Sequence, residues 1–207
     1  MQLFVGEIIQ GTCFAMFSPQ YKYSPVYAVG FESLCKLFLD TLPSDQDREE
    51  LRSSMCIGLG IDPAVMKKDG EELLANAKGM AEAELLESPD LKAIATAGNF
   101  KYTYSLGAGI ICLMEAVGTE PTDEAITRWC DSLNLKGKLL LRDYTYYKSS
   151  VEKMGQAKEM MLQMRVASKK AEAKRLAAKA EAAAKEADAE EKAEVPAEKA
   201  EEPTAAE

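Results

Sequence analysis

The 207-residue chain contains no histidine. That absence removes the commonest general base, the Ser-His and Cys-His nucleophile pairs and most zinc sites together. Long apolar runs are missing too. The most apolar stretch, Tyr102 to Met114, is thirteen residues long and includes Gly107 and Gly109, short of the roughly twenty a bilayer-spanning helix needs, so it reads as a buried core helix. No cleavable leader is visible: Met1 runs into Gln2-Leu3-Phe4-Val5, with Glu7 close behind and no basic stretch ahead. Either the protein is made where it works or the chain lacks its true start. Five cysteines, Cys13, Cys35, Cys56, Cys112 and Cys130, are scattered and odd in number, which points to a reducing compartment and to small hydrophobes on helix faces, not reactive thiolates. A net charge of −9 and a pI near 4.8 argue against a coat for nucleic acid or anionic membrane, so the expected partners are proteins. Beyond Ala167 there is no aromatic residue and almost no large aliphatic one, so only the first part of the chain can close around a core.

What is present is a repetition. Tyr21-Lys22-Tyr23-Ser24-Pro25-Val26-Tyr27-Ala28-Val29-Gly30-Phe31 returns in degraded form as Phe100-Lys101-Tyr102-Thr103-Tyr104-Ser105-Leu106-Gly107-Ala108-Gly109-Ile110. Downstream, after a small gap, Glu50 answers Glu124, Cys56 answers Cys130, Leu59 answers Leu133, Asp69 answers Asp143 and Met80 answers Met154. A helical unit used twice buries its apolar face against its own copy, which describes a scaffold more readily than a catalytic cleft.

Helical spacing and capping residues predict the elements, and nothing reads as a strand. Residues 1–17 carry Phe4, Ile8 and Ala15 on one line and Val5 and Ile9 on the next. Ser24 caps a helix with Pro25 at its first position and Tyr27, Gly30, Phe31, Leu34 and Phe38 at helical spacing. Gly30 at its centre costs about 1 kcal/mol relative to Ala, so another backbone, that of the helix carrying Gly109, is expected against it. Ser44-Asp45-Gln46-Asp47 opens a third helix that stops at Gly58-Leu59-Gly60. Asp62-Pro63 opens a fourth, and Ser88-Pro89 a short one ended by Gly98-Asn99. In the second copy Thr103 and Thr122 cap helices, the latter carrying Ile126, Trp129, Cys130 and Leu133. The last helix starts near Lys138, with Leu140, Tyr144, Tyr147, Val151, Met154 and Met161 close to a coiled-coil seam. The reading is all-α: a helical bundle of two related units with a long, partly protruding C-terminal helix and a disordered acidic tail. Residues 1–167 form the body, with the repeat at 21–80 and 100–154. Residues 168–207 form an Ala/Lys/Glu-rich tail, helical and then, after Glu186 and through Pro196 and Pro203, disordered.

Chemistry-bearing motifs are thin. Gly58-Leu59-Gly60 and Gly107-Ala108-Gly109 lack the third glycine or Gly-Lys-Ser/Thr of a phosphate cradle and read as a helix stop and a close helix contact. The aromatic and basic run Arg142 to Lys148 and the basic residues Arg165, Lys169, Lys170, Lys174, Arg175 and Lys179 could touch nucleic acid or anionic lipid heads. Their alternation with Glu172 and Glu181 favours a solvated helix, and lipid attachment without large apolar residues opposite the charges would be weak and salt-sensitive. Glu49-Glu50 and Glu71-Glu72 sit on polar helix faces, where carboxylates stay ordinary. The run Met154, Met160, Met161 and Met164 reads as core or seam before any cofactor box, though thioethers also suit a surface that repacks against several partners.

Tyr23-Ser24-Pro25-Val26-Tyr27-Ala28-Val29-Gly30, Asn99-Phe100-Lys101-Tyr102, Leu133-Asn134-Leu135 and Glu152-Lys153-Met154-Gly155-Gln156-Ala157, in that order, resemble the thylakoid formation protein family, also called photosystem II biogenesis protein, of cyanobacteria and plastids. The likeness runs from about Val5 to Met164. It implies an all-helical accessory protein of the chloroplast stroma and thylakoid periphery, or of the cyanobacterial cytoplasm and thylakoid. It also implies partners among FtsH-type membrane proteases and photosystem II components, with no catalytic, cofactor-binding or metal-binding residue and no cofactor, nucleic acid or small-molecule substrate. The chain departs in having Ser24 where relatives commonly carry an acid, a shorter linker from Glu87 to Gly98, and no preceding N-terminal segment. Expected contact positions on the last helix are Tyr146, Lys148, Lys153 and Lys158. Two other readings stay open: a coiled-coil scaffold dimerising through the last helix, and a thiol or carboxylate enzyme with a deep pocket.

Overall fold

The computed structural model describes residues 2–40, 42, 44–98 and 100–193. Among them are nine helices and no strand: α1 Gln2–Met16, α2 Pro25–Leu39, α3 Asp45–Gly58, α4 Pro63–Ala77, α5 Glu82–Leu86, α6 Pro89–Thr96, α7 Tyr104–Ala116, α8 Asp123–Ser132 and α9 Gly137–Ala193. By contact the chain divides into two units, Met1–Gly155 and Gln156–Glu207. In the first unit α2, α3, α4, α7 and α8 start where a side chain accepts an orphan amide. Ser24 accepts from the Tyr27 amide, Ser44 from Asp47, Asp62 from Ala64, Thr103 from Leu106 and Thr122 from Ala125. The short α5, capped by Ala81 without a side-chain bond, has no such signal and was not anticipated. The disorder expected after Glu186 does not begin there, since residues 187–193 continue α9; the rest of that stretch, like Asn99, lies outside the described residues.

α2 and α7 share the most extensive interface, and two glycines make it possible. A Cβ on Gly30 would collide with the Ser105 carbonyl oxygen and lie 2.5 Å from the Gly109 nitrogen; one on Gly109 would collide with the Val26 carbonyl oxygen. The contact is reciprocal, since Val26 stands to Gly30 as Ser105 stands to Gly109.

Two apolar clusters flank this crossing. Tyr27, Phe31, Leu34, Cys35, Met55, Cys56, Leu59 and Met66 lie in one. The residues that answer them in the repeat, Leu106, Ile110, Leu113, Met114, Trp129, Cys130, Leu133 and Leu140, all lie in the other. Trp129 is fully buried. The turns match as well. The Ile61 amide bonds the Cys56 carbonyl and the Leu135 amide the Cys130 carbonyl at 3.0 and 2.8 Å, each pair flanking a left-handed residue, Gly60 at φ 68° and Asn134 at φ 55°, as in a Schellman-type helix stop.

One buried feature differs between the clusters. Arg52 is 7% exposed and bonds Glu32 at 2.7 Å and Glu49 at 2.6 Å. Where the repeat would place the partners of Arg52 and Glu32 stand Ile126 and Ile111, both buried.

In the second unit every described side chain from Gln156 to Ala180 is exposed. Met160, Met161 and Met164 are therefore not core residues: they are 62%, 46% and 62% exposed, because no neighbouring element covers them within that unit. Met154, in the first unit, is half-buried.

Candidate interaction surface

Asp143 organises a cleft of the first unit. Its Oδ2 accepts from the Tyr102 hydroxyl at 3.0 Å, and its Oδ1 accepts from Arg142 Nε and Nη2 at 2.9 and 2.8 Å. Burial and the adjoining carboxylate push the Tyr102 phenol well above its usual range. The Asp143 pair raises Arg142 in turn. Around them Ile8, Gly11, Thr103, Tyr104 and Tyr146 line a cleft of about 360 Å³. The Tyr104 and Tyr146 rings meet edge to face at 6.3 Å, a favoured aromatic geometry. The same hydroxyl–carboxylate bond recurs where the repeat places it: Tyr23 donates to Asp69 at 2.9 Å.

Of the positions expected to meet a partner, Tyr146 is 55% exposed at the mouth of this cleft. Lys148 and Lys153 are exposed, and Lys148 Nζ sits 4.5 Å from the centre of the Tyr144 ring, a cation–π distance. Lys158 is exposed in the second unit. The seam expected along α9 is half covered by its own body: Leu140 is buried, and Tyr144 and Tyr147 pack on the two clusters. A coiled coil could use this line only from Val151, which is 38% exposed.

Chemically the arrangement holds and does not activate. Both Asp143 oxygens are engaged. Burial raises the Cys35 and Cys112 thiols and lifts Cys56 and Cys130 to about 11, so these sulfurs stay protonated and unreactive. Cys35, Cys56 and Cys130 are buried, while Cys13 and Cys112 are only half-buried. Among the described residues no group of three or more His, Cys, Asp or Glu side chains could hold a metal ion. No described helix is long and apolar enough to cross a membrane.

The carboxylates are less ordinary than their sequence positions suggest. Glu49 is no free surface acid: its bond to Arg52 holds it below the usual range. Glu82 is lowered by Thr119, at 2.6 Å, and by Arg128, whereas burial raises Glu32 against the pull of Arg52. These pairings link residues far apart in sequence, so no local motif marks them.

Residues 2–176 match the family described as Thylakoid formation protein. The chain belongs to that family. Relatives include the chloroplastic protein THYLAKOID FORMATION 1 of Arabidopsis thaliana, 28% identical over 82% of this chain and 60% of the relative, so the chain spans less than two thirds of that protein. Protein Thf1 of Nostoc punctiforme is 27% identical over 75% of this chain and 74% of its own. The solved structure titled Psb29 shares the fold at a TM-score of 0.74 with 19% identity, covering 83% of this chain and 88% of that one. The family match ends inside α9, beyond Met164 and within the charged stretch.

Proposed function

We propose that the chain is a non-enzymatic accessory protein for thylakoid membrane biogenesis and photosystem II assembly and repair, acting at the thylakoid periphery by binding and stabilising FtsH-type proteases. The family match over residues 2–176 carries this reading. The body supports it, since the polar groups paired in it hold one another: Tyr102 with Asp143, Tyr23 with Asp69, Arg52 with Glu32 and Glu49. The contact surface is the exposed side of the first turns of α9, around Tyr146, Lys148 and Lys153. A factor that binds an assembled protease at a concentration 100 times its Kd stabilises that assembly by about 2.7 kcal/mol, enough to shift assembly without chemistry. The test is affinity purification of the tagged chain from detergent-solubilised thylakoids, with the bound proteins identified by mass spectrometry. FtsH-type subunits in the eluate are expected, and an eluate containing neither protease nor photosystem subunits would defeat the reading.

A further inference from the structure

The charge of this protein is unevenly placed. Residues 156–180 hold seven Lys or Arg and two Glu, a net of +5 in a chain whose total is −9, which leaves −14 elsewhere. This stretch is helical throughout and exposed throughout. Ala157, Met160, Met161, Met164, Ser168 and Ala171 recur at i, i+3, i+4, i+7, i+11 and i+14 and so share one face of the helix. Lys158, Arg165 and Lys169, with Glu172, border that face on one side, Lys170 and Lys174 stand on the other, and Arg175 and Lys179, at i+18 and i+22, close its C-terminal end. Three flexible thioethers between two cationic borders match a surface that is shallowly apolar and negatively charged, with the long basic side chains reaching outward to charged heads. With no membrane-crossing helix among the described residues, such a stretch offers attachment in the plane of a bilayer.

We infer that residues 156–180 of α9 form a lipid-binding segment that lies on anionic membrane surface. The acidic remainder of the chain is repelled by the same surface, so the segment would hold the protein to the membrane through one element. This deepens the proposed thylakoid role and rests on it for the choice of membrane. Pure lipid vesicles contain no protein, so their result is independent of whether a protease is recovered from thylakoids.

The full chain is mixed with vesicles of phosphatidylcholine alone, or with roughly a third phosphatidylglycerol, and bound protein is measured by flotation. Binding to the anionic vesicles only is expected, with most of it lost near 1 M salt, where the screening length falls to about 3 Å. The quadruple change Lys169→Gln, Lys170→Gln, Lys174→Gln and Arg175→Gln keeps helix propensity and removes four charges. At the usual worth of a basic residue near such a surface it should weaken binding about a thousandfold. Met160→Ser with Met164→Ser should weaken it further at high salt. Circular dichroism checks that the variants keep their helix content. Equal binding to neutral and anionic vesicles, undiminished binding of the quadruple variant, or retention on an acidic protein column with no vesicle binding would each overturn the inference.

Discussion

The Arg52–Glu32 pair can be tested against an alternative that the protein itself carries. In the second cluster the corresponding places hold Ile126 and Ile111, both buried. Buried ion pairs and hydrophobic pairs of similar volume are close in net stability, whereas breaking an ion pair from one side leaves a charge stranded and costs about 3 to 5 kcal/mol. The Glu32 side chain keeps 23% exposure, so water relieves part of that penalty, and Arg52→Ile should fall near the lower bound, about 3 kcal/mol. Glu32→Ile strands the Arg52 guanidinium less completely, because Glu49 at 2.6 Å still holds it, and about 2 kcal/mol is expected. The double variant Glu32→Ile with Arg52→Ile removes both charges and frees Glu49, 56% exposed, into solvent. It should lie within about 1 kcal/mol of the parent, so the coupling between the two sites is about 4 kcal/mol. In thermal unfolding followed by circular dichroism, Arg52→Ile should lower the midpoint by about 6 to 12 °C and the double variant should recover most of it. A double variant as destabilised as the sum of the singles would refute the reasoning, because it would show the two positions packing independently.

Gly30→Ala or Gly109→Ala must push α2 and α7 apart, and overpacking of this kind should cost at least ~3 kcal/mol in chemical unfolding. Gly58→Ala, with nothing within 4 Å, should stabilise α3 by up to about 1 kcal/mol. Trp129→Ala should cost about 3 to 5 kcal/mol, read from the same transition. Tyr102→Phe removes a hydroxyl that donates to a carboxylate and should cost about 1.5 to 3 kcal/mol, without changing helix content by circular dichroism. Glu82 sits below its ordinary 4.5, so it contributes stability above that value that is lost as pH falls through its lowered one. Glu82→Gln should flatten the fall of the urea midpoint below pH 4.5 by under about 1 kcal/mol, because its partner Arg128 is 57% exposed.

Much of the architecture was legible because it is written in local chemistry. Ser24, Ser44, Thr103 and Thr122 announce helix starts by what their side chains can accept, and a glycine in mid-helix announces a close neighbour, here Gly109 against Gly30. α5 was not legible: Ala81 offers no cap, and five residues give no period to detect. The core half of the reading of the Met run fails for Met160, Met161 and Met164, because periodicity reports that residues share a face and says nothing about whether anything covers it. Arg52 with Glu32, and Tyr102 with Asp143, were out of reach for another reason. Their partners lie 20 and 41 positions away, so only the folded chain brings them together.

The matched pairs argue for a common origin of the two clusters more strongly than the sequence repetition does. A chance likeness between two amphipathic stretches would align apolar positions, since any helix needs them. It would not also align a hydroxyl-to-carboxylate bond, a left-handed residue at a helix stop, the caps Ser24 and Thr103 and a reciprocal glycine contact, because each depends on a different physical requirement. We infer that residues 21–80 and 100–154 are two copies of one helical unit that crosses its twin through Gly30 and Gly109. Once each copy is completed by the other, divergence is confined to positions that change one cluster without disturbing the crossing. The ion pair at Arg52 and Glu32 facing Ile126 and Ile111 is the kind of difference that constraint permits. The cleft at Asp143 is another: Tyr104 and Tyr146, which line it, occupy places held in the first copy by Pro25 and Glu72. Tyr104 and Tyr146 at the mouth thus belong to the second copy alone.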